Sequence, residues 1–194
     1  MPDTKISAMP SASTLTGAEL VPLVQGGVNV QATLGDVKDY VTKVYGGWSS
    51  TQTQTASTTT GTAITYNVQD VTDSVTLVNN SRITVPVTGV YNLQFSAQLK
   101  NTDNAQHIAT IWIRINGTDV GATSTNITVP SRKTSNIYGY GVAAWNFFLD
   151  MNANDYVELF WLVESTLVTM EALPASVTPQ YPSIPSVIVT IAQV

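Results

Sequence analysis

The sequence predicts an all-β protein: an antiparallel jelly-roll sandwich preceded by a small N-terminal β-hairpin plus short helix. Three observations carry this expectation. Charged residues make up only 11% of the 194-residue chain and hydrophobic ones 43%. The surface must therefore be built largely from neutral Thr, Ser, Asn and Gln, and a Thr- and Val-rich chain suits a pleated sheet better than a helical bundle. Apolar and polar residues alternate with period two through most of residues 63–194, as in strands that turn one face to a core. Turn residues interrupt that pattern at short, regular spacing with no helical stretch between them, which is the spacing of a sandwich.

The first zone, residues 1–47, parses into three elements. Leu20–Gln25 is an apolar run that Pro22 confines to an edge or irregular strand. Gly26-Gly27 is a two-residue hairpin turn, and Val28–Ala32 returns with alternating pattern. Thr33 then opens a helix, its hydroxyl capping the first turn and Asp36 completing a capping box. The helix is expected to reach about Tyr45 and to stop at Gly46-Gly47. Leu34, Val37, Val41 and Val44 have a/d spacing and are the candidate attachment or seam residues. An ordinary amphipathic helix lying on its own hairpin has the same pattern, and three turns do not separate the two readings.

Residues 48–62, WSSTQTQTASTTTGT, form a polar tract expected to act as a connector, with Trp48 at the hinge. Residues 63–194 are then the sandwich domain. Its strands are expected at Ala63–Val68, Ser74–Val78, Arg82–Pro86, Val90–Leu99, His107–Ile115, Thr125–Val129, Ile137–Leu149, Asp155–Val163, Leu167–Ala172 and Ser186–Val194. The clearest is Val90–Leu99, with Tyr91, Leu93, Phe95, Ala97 and Leu99 on one face. Asn116-Gly117 follows His107–Ile115 as a hairpin turn.

Three strands are apolar on both faces: Val142–Leu149, Tyr156–Val163 and Val187–Val194. A two-layer sandwich buries one face per sheet, so the second face needs a partner. A subunit interface supplies one, and Tyr156, Phe160, Leu162 and Phe148 are its candidate residues. Cover by a loop or by the N-terminal zone is the other solution.

Composition excludes several function classes. The net charge is -5 with no basic stripe, so no nucleic-acid partner is expected. No apolar run is long enough for a membrane helix, so no membrane insertion is expected. Cysteine is absent, which removes disulfides and thiolate chemistry and allows assembly in a reducing cytoplasm. His107 is the single histidine and no serine stands in a nucleophile-elbow context, so no catalytic residue is assigned. The acidic loop Asp150–Asp155 lacks the Gly and distal Glu of a calcium loop and reads as a hairpin with Asx-turns. No metal, cofactor or enzymatic activity is expected.

Two stretches carry a resemblance. The segment KISAMPSASTLTGAELVPLVQGGVNVQATLGDVKDYV, residues 5–41, is similar to a segment of structural proteins of tailed bacteriophages. There it precedes unrelated C-terminal domains, which implies a particle-attachment module. From Ser81 onward, Ser-Arg-Ile-Thr-Val, Gly-Val-Tyr-Asn-Leu-Gln-Phe-Ser-Ala-Gln-Leu, Ile-Trp-Ile-Arg-Ile-Asn-Gly, Asn-Asp-Tyr-Val-Glu-Leu and Pro-Ser-Val-Ile-Val-Thr-Ile resemble phage jelly-roll knobs. Those are related in pattern to the tumour-necrosis-factor and complement-globular-head fold. Ala153-Asn154-Asp155 departs from that family's Gly-Asp turn, and the last strand lacks its aromatic ending.

The resemblance implies a homotrimeric virion protein, assembled in the bacterial host cytoplasm and docked to other virion proteins through residues 1–47. Its knob would be a tail or fibre part, with a host surface glycan or protein as its contact. A head-decoration protein that coats or stiffens the capsid is the alternative from the same class, and a glycan-cleaving virion enzyme the alternative from another.

Overall fold

A computed structural model of the chain describes residues 13–194; the Lys5–Ala12 part of the phage-like segment lies outside the described residues. The chain divides into two compact units, residues 1–42 and 43–194.

The first unit is a hairpin and a helix. Strands β1 (Leu20–Gln25) and β2 (Val28–Thr33) pair antiparallel from Leu20↔Thr33 to Gln25↔Val28. Gly26 and Gly27 sit at φ 58° and 79°, the left-handed pair that matches the twist of a two-residue hairpin. Helix α1 (Leu34–Val41) begins at Thr33 with the expected capping box: Thr33 Oγ1 accepts from the Asp36 amide, and Asp36 Oδ2 accepts from the Thr33 amide.

The helix is shorter than the sequence suggested. It ends at Val41, with Thr42 extended as C-cap. Tyr45, Gly46 and Gly47 are strand residues, because pairing with the last strand of the chain captures them: Tyr45 pairs with Ala192, and the Val44 carbonyl accepts the Gln193 amide. Val44 therefore belongs to the sandwich, where it packs against the core. The four-residue seam is reduced to Leu34, Val37 and Val41 on one eight-residue helix, too short to sustain a coiled coil.

The second unit is a sandwich. Its strands are β3 (Tyr45–Ser50), β4 (Gln54–Thr55), β5 (Thr62–Ala63), β6 (Val68–Asp73), β7 (Thr76–Val78), β8 (Arg82–Thr84), β9 (Gly89–Asn101), β10 (His107–Ile115), β11 (Thr118–Asp119), β12 (Thr125–Val129), β13 (Gly139–Met151), β14 (Tyr156–Val163), β15 (Val168–Met170), β16 (Ser176–Val177), β17 (Gln180–Tyr181) and β18 (Val187–Gln193). In the first sheet β6, β3, β18, β9 and β13 lie side by side, and β15 with β4 extends the β18 side of β9. In the second, β7 and β8 lead to β14 and then β10, which pairs β11 and β12; β5 pairs β14 beside β8. Both sheets are antiparallel, and the chain crosses between them from β8 to β9, β9 to β10, β12 to β13, β13 to β14 and β14 to β15. That winding is jelly-roll-like.

The alternation seen in sequence is the alternation of burial. Tyr91, Leu93, Phe95, Ala97 and Leu99 of β9 all face the core, as do Ala109, Ile111 and Ile113 of β10. Val157, Leu159, Trp161 and Val163 of β14 and Val187, Val189 and Ile191 of β18 complete it.

The polar tract 48–62 is not a connector. Trp48 is 1% exposed and is among the largest buried side chains. Ser49 and Ser50 continue β3, and Gln54–Thr55 and Thr62–Ala63 are ladder strands. The tract stays polar because its side chains substitute for backbone partners. The Gln54 side chain accepts from the Thr65 amide and donates to the Thr65 carbonyl, both at 2.9 Å. Asn67 and Thr51 exchange two bonds at 2.8 Å. Such side-chain bonds fix backbone that period-two reading cannot see.

Candidate functional site

Three surfaces are candidates for function, the first being the N-terminal unit. Glu19 organises it. Its carboxylate accepts from the Thr16 amide (2.8 Å), the Thr16 hydroxyl (2.9 Å) and the Gly17 amide (2.8 Å). These bonds, those to the Thr16 backbone foremost, hold its pKa well below the usual 4.5, at about 2. Gly17 sits at φ 89°, where a side chain is strained, and its carbonyl accepts the Gly35 amide at the start of α1. The Glu19 carbonyl accepts the Leu34 amide at 2.8 Å. The Leu-Thr-Gly-Ala-Glu stretch thus clamps the chain onto the helix start.

Despite this local order, no described residue from 13 to 42 is buried. Leu34 and Val37 are half-buried, whereas Val41 is exposed, together with Leu20, Val24, Val28 and Tyr40. An open groove of about 710 Å³ runs between hairpin and helix, lined by Leu23, Val24, Val30, Val37 and Tyr40 among others. Asp36, the acid beside it, is committed to the capping box, whose Thr33 amide and hydroxyl lower its pKa.

The second surface is the outer face of the sheet containing β14. Tyr156, Phe160 and Leu162 lie here, each half-buried by groups of the same unit. Phe160 stands 6.0 Å from the Trp112 ring and 4.4 Å from the Arg114 guanidinium carbon. Gly61 passes so close that a Cβ there would lie 2.5 Å from the Trp112 ring and 3.1 Å from Phe160. Arg82 covers Tyr156 at 4.7 Å. Buried Glu158 accepts from Ser81 Oγ at 2.7 Å, with Arg82 Nε 3.6 Å away. Trp112 Nε1 donates to Asp119 at 2.7 Å, and Arg114 Nε pairs with the same carboxylate at 3.0 Å. Here the second partner of a two-faced strand is the chain itself.

The third surface is the outer face of the other sheet. Across β18, β9 and β13 the outward registers read Ala192–Asn92–Phe148, then Thr190–Gln94–Asn146, then Ile188–Ser96–Ala144. β3 adds Tyr45, Gly47 and Ser49, and the next register of β9 and β13 is Gln98–Val142. None of these residues is charged. Charge returns at the margins, with Asp150 beyond Phe148, Asp73 and Asp70 on β6, the latter accepting from Ser49 Oγ at 3.1 Å, and the partly buried Lys100–Glu171 pair beside Tyr138 and Tyr140. The four residues expected to form one subunit interface therefore do not share a surface. Phe148 lies on this face, and Tyr156, Phe160 and Leu162 lie on the opposite face of the sandwich.

The titratable side chains singled out in the sequence have structural partners. His107 Nε2 lies 2.7 Å from Asp103 Oδ2. Asp103, its pKa lowered first by that bond, also accepts the Asn104 amide and thereby ties the β9–β10 turn. In the Asp150–Asp155 loop, Asp155 accepts from Asn116 Nδ2 and the Asn152 amide, both at 2.7 Å, and these two bonds lower its pKa. Among the described residues no three His, Asp or Glu side chains converge as a metal site, and no helix is long and apolar enough to cross a membrane. No protein-family model matches the chain, and no curated protein matches it.

Proposed function

We propose that the chain is a non-enzymatic structural component of a bacteriophage particle, docked by its N-terminal unit and projecting a homotrimeric jelly-roll knob as a tail or fibre part. The observation that carries this reading is the contrast between the two units. The sandwich holds every buried apolar residue among those described, starting at Trp48. The N-terminal unit is clamped and capped, yet buries none of its described residues. A preorganised unit without a core gains by placing its apolar groove against another protein. The resemblance of residues 5–41 to phage attachment segments supplies the class of partner, namely other virion proteins. The knob is then free to meet a host surface glycan or protein, and the place of assembly is the host cytoplasm.

The test is incorporation into particles. The deletion is placed after residue 42, at the boundary between the two units, because a cut at the end of the 1–47 zone would remove half of β3. Chains lacking residues 1–42 should be soluble and β-rich and absent from purified virions. Incorporation of that truncated chain at the wild-type level would overturn the docking assignment. Counting copies per virion places the protein: a few trimers for a tail part, tens to hundreds for head decoration.

A further inference from the structure

We propose that the N-terminal unit docks by β-addition: the free edge of β2 receives an extended segment of another virion protein as a third strand. The inference rests on the docking role proposed above and names the mode of contact and the chemistry of the partner.

The hydrogen-bond phase of the hairpin decides which edge is open. A two-residue turn at Gly26-Gly27 makes Gln25↔Val28 a hydrogen-bonded pair, and bonded pairs alternate with non-bonded ones along an antiparallel ladder. Leu23↔Val30 and Val21↔Ala32 are then bonded, whereas Val24↔Asn29, Pro22↔Gln31 and Leu20↔Thr33 are not. Three features agree with this phase. Pro22, which has no amide hydrogen to give, falls at a non-bonded position. Thr33 donates its amide to Asp36 Oδ2 instead of to Leu20. One step further along, the Leu34 amide reaches the Glu19 carbonyl at 2.8 Å, as the alternation requires.

At non-bonded positions the backbone N–H and C=O point away from the partner strand, toward the outer edge. On β1 those positions are Leu20, Pro22 and Val24, and the Pro22 ring closes the middle of that edge. On β2 they are Asn29, Gln31 and Thr33. The Thr33 amide is taken by the capping box, which leaves the edge groups of Asn29 and Gln31. Both residues are exposed, and among the described residues no third strand pairs with this sheet. The hairpin therefore has one closed edge and one open edge.

The open edge fits a strand. A two-stranded sheet is marginal in water, and a third strand is what stabilises it. Side chains of the added strand alternate between the two faces of the sheet. Those on the Val30 face would stand beside the groove that Val30, Val37 and Tyr40 line, so the partner segment is apolar at alternate positions. Residues 13–42 carry Glu19, Asp36 and Asp39 against Lys38, three acids and one base, and Asp36 lines the groove. Basic residues at the polar positions of the segment are the complement. A helix laid in the groove would leave the Asn29 and Gln31 edge groups without backbone partners.

The test uses the full chain, expressed during infection. Gln31→Pro removes an outward amide hydrogen and sets a ring on the β2 edge, while the hairpin keeps its own bonded pairs. Its incorporation into purified virions should fall about 10-fold or more. Gln31→Ala, which keeps the amide and loses only the side chain, should incorporate like wild type. The Thr16 and Gly17 amide resonances, set by the Glu19 clamp, show whether the proline variant keeps its fold. Should it not, hydrogen exchange on the wild-type chain gives a second reading. The Asn29 and Gln31 amides should exchange quickly in the free chain and be protected in virions.

A folded Gln31→Pro chain that incorporates like wild type, or those amides left unprotected in virions, overturns β-addition and leaves docking by the N-terminal unit standing. Protection already present in the free chain would place the chain itself, or a second copy, on the edge and overturns it likewise. Normal incorporation of the 43–194 chain overturns the docking role and β-addition with it.

Discussion

Glu19 and Gly46 show how single residues set the geometry of each unit. Glu19 draws the Thr16 and Gly17 amides into a turn while its own carbonyl receives the helix start. Because its folded pKa is depressed, to about 2 from 4.5, its contribution is present above pH 4.5 and is lost as the pH falls toward 2. The Thr16 and Gly17 amide resonances should therefore titrate with a midpoint near 2; a midpoint near 4.5 would show that the clamp does not form. Gly46 reads in sequence as a helix stop, but its place is structural in another sense. A Cβ there would lie 2.3 Å from the Trp48 ring. Gly46→Ala should cost about 1–3 kcal/mol through overpacking, measured by urea unfolding, and an unchanged midpoint would contradict the packing. The capping box of Thr33 and Asp36 was legible because both partners lie within one turn. The role of Gly46 was not, because the constraint comes from the Trp48 ring two residues on, in a strand whose residues the sequence reading had divided between a helix end and a polar connector.

At the scale of elements, period-two patterning located the long strands to within a residue or two, since β9, β10, β12 and β14 carry their burial in their own alternation. The pattern failed where long-range pairing or side-chain bonding decides conformation. Tyr45–Ser50 is a strand because β18 and β6 flank it, and the 51–67 segment is held by Gln54 and Asn67 acting as backbone surrogates. The sequence could not say what covers the second face of the two-faced apolar strands. β14 finds it in Trp112, Arg114 and the segment at Gly61, whereas β13 and β18 leave it open. Phe160→Ala should accordingly lower stability by about 1–3 kcal/mol, a half-buried aromatic losing its neighbours, and should leave the sedimentation coefficient unchanged. Dissociation of the assembly on that substitution would return Phe160 to an intersubunit role.

At the scale of the molecule, the division of labour follows from where burial is sufficient. Residues 43–194 close a core between two sheets. Residues 13–42 bury none of their described residues fully, and under the proposed function their order serves recognition more than self-stability. Two predictions separate the units. Val37→Asp with Val41→Asp should abolish particle incorporation while the melting temperature of the sandwich stays within about 2 °C of wild type, since both residues lie in the 1–42 unit and outside the sandwich core. Loss of the sandwich transition in that variant would show that the helix contributes to the core fold. The central claim, that the N-terminal unit is sufficient to dock cargo on a particle, is tested most directly by fusing residues 1–42 to an unrelated fluorescent protein, expressing it during infection and measuring fluorescence per purified virion. The account predicts incorporation of the fusion, competed by the wild-type chain; fluorescence-free virions, alongside normal incorporation of the 43–194 chain, would contradict it.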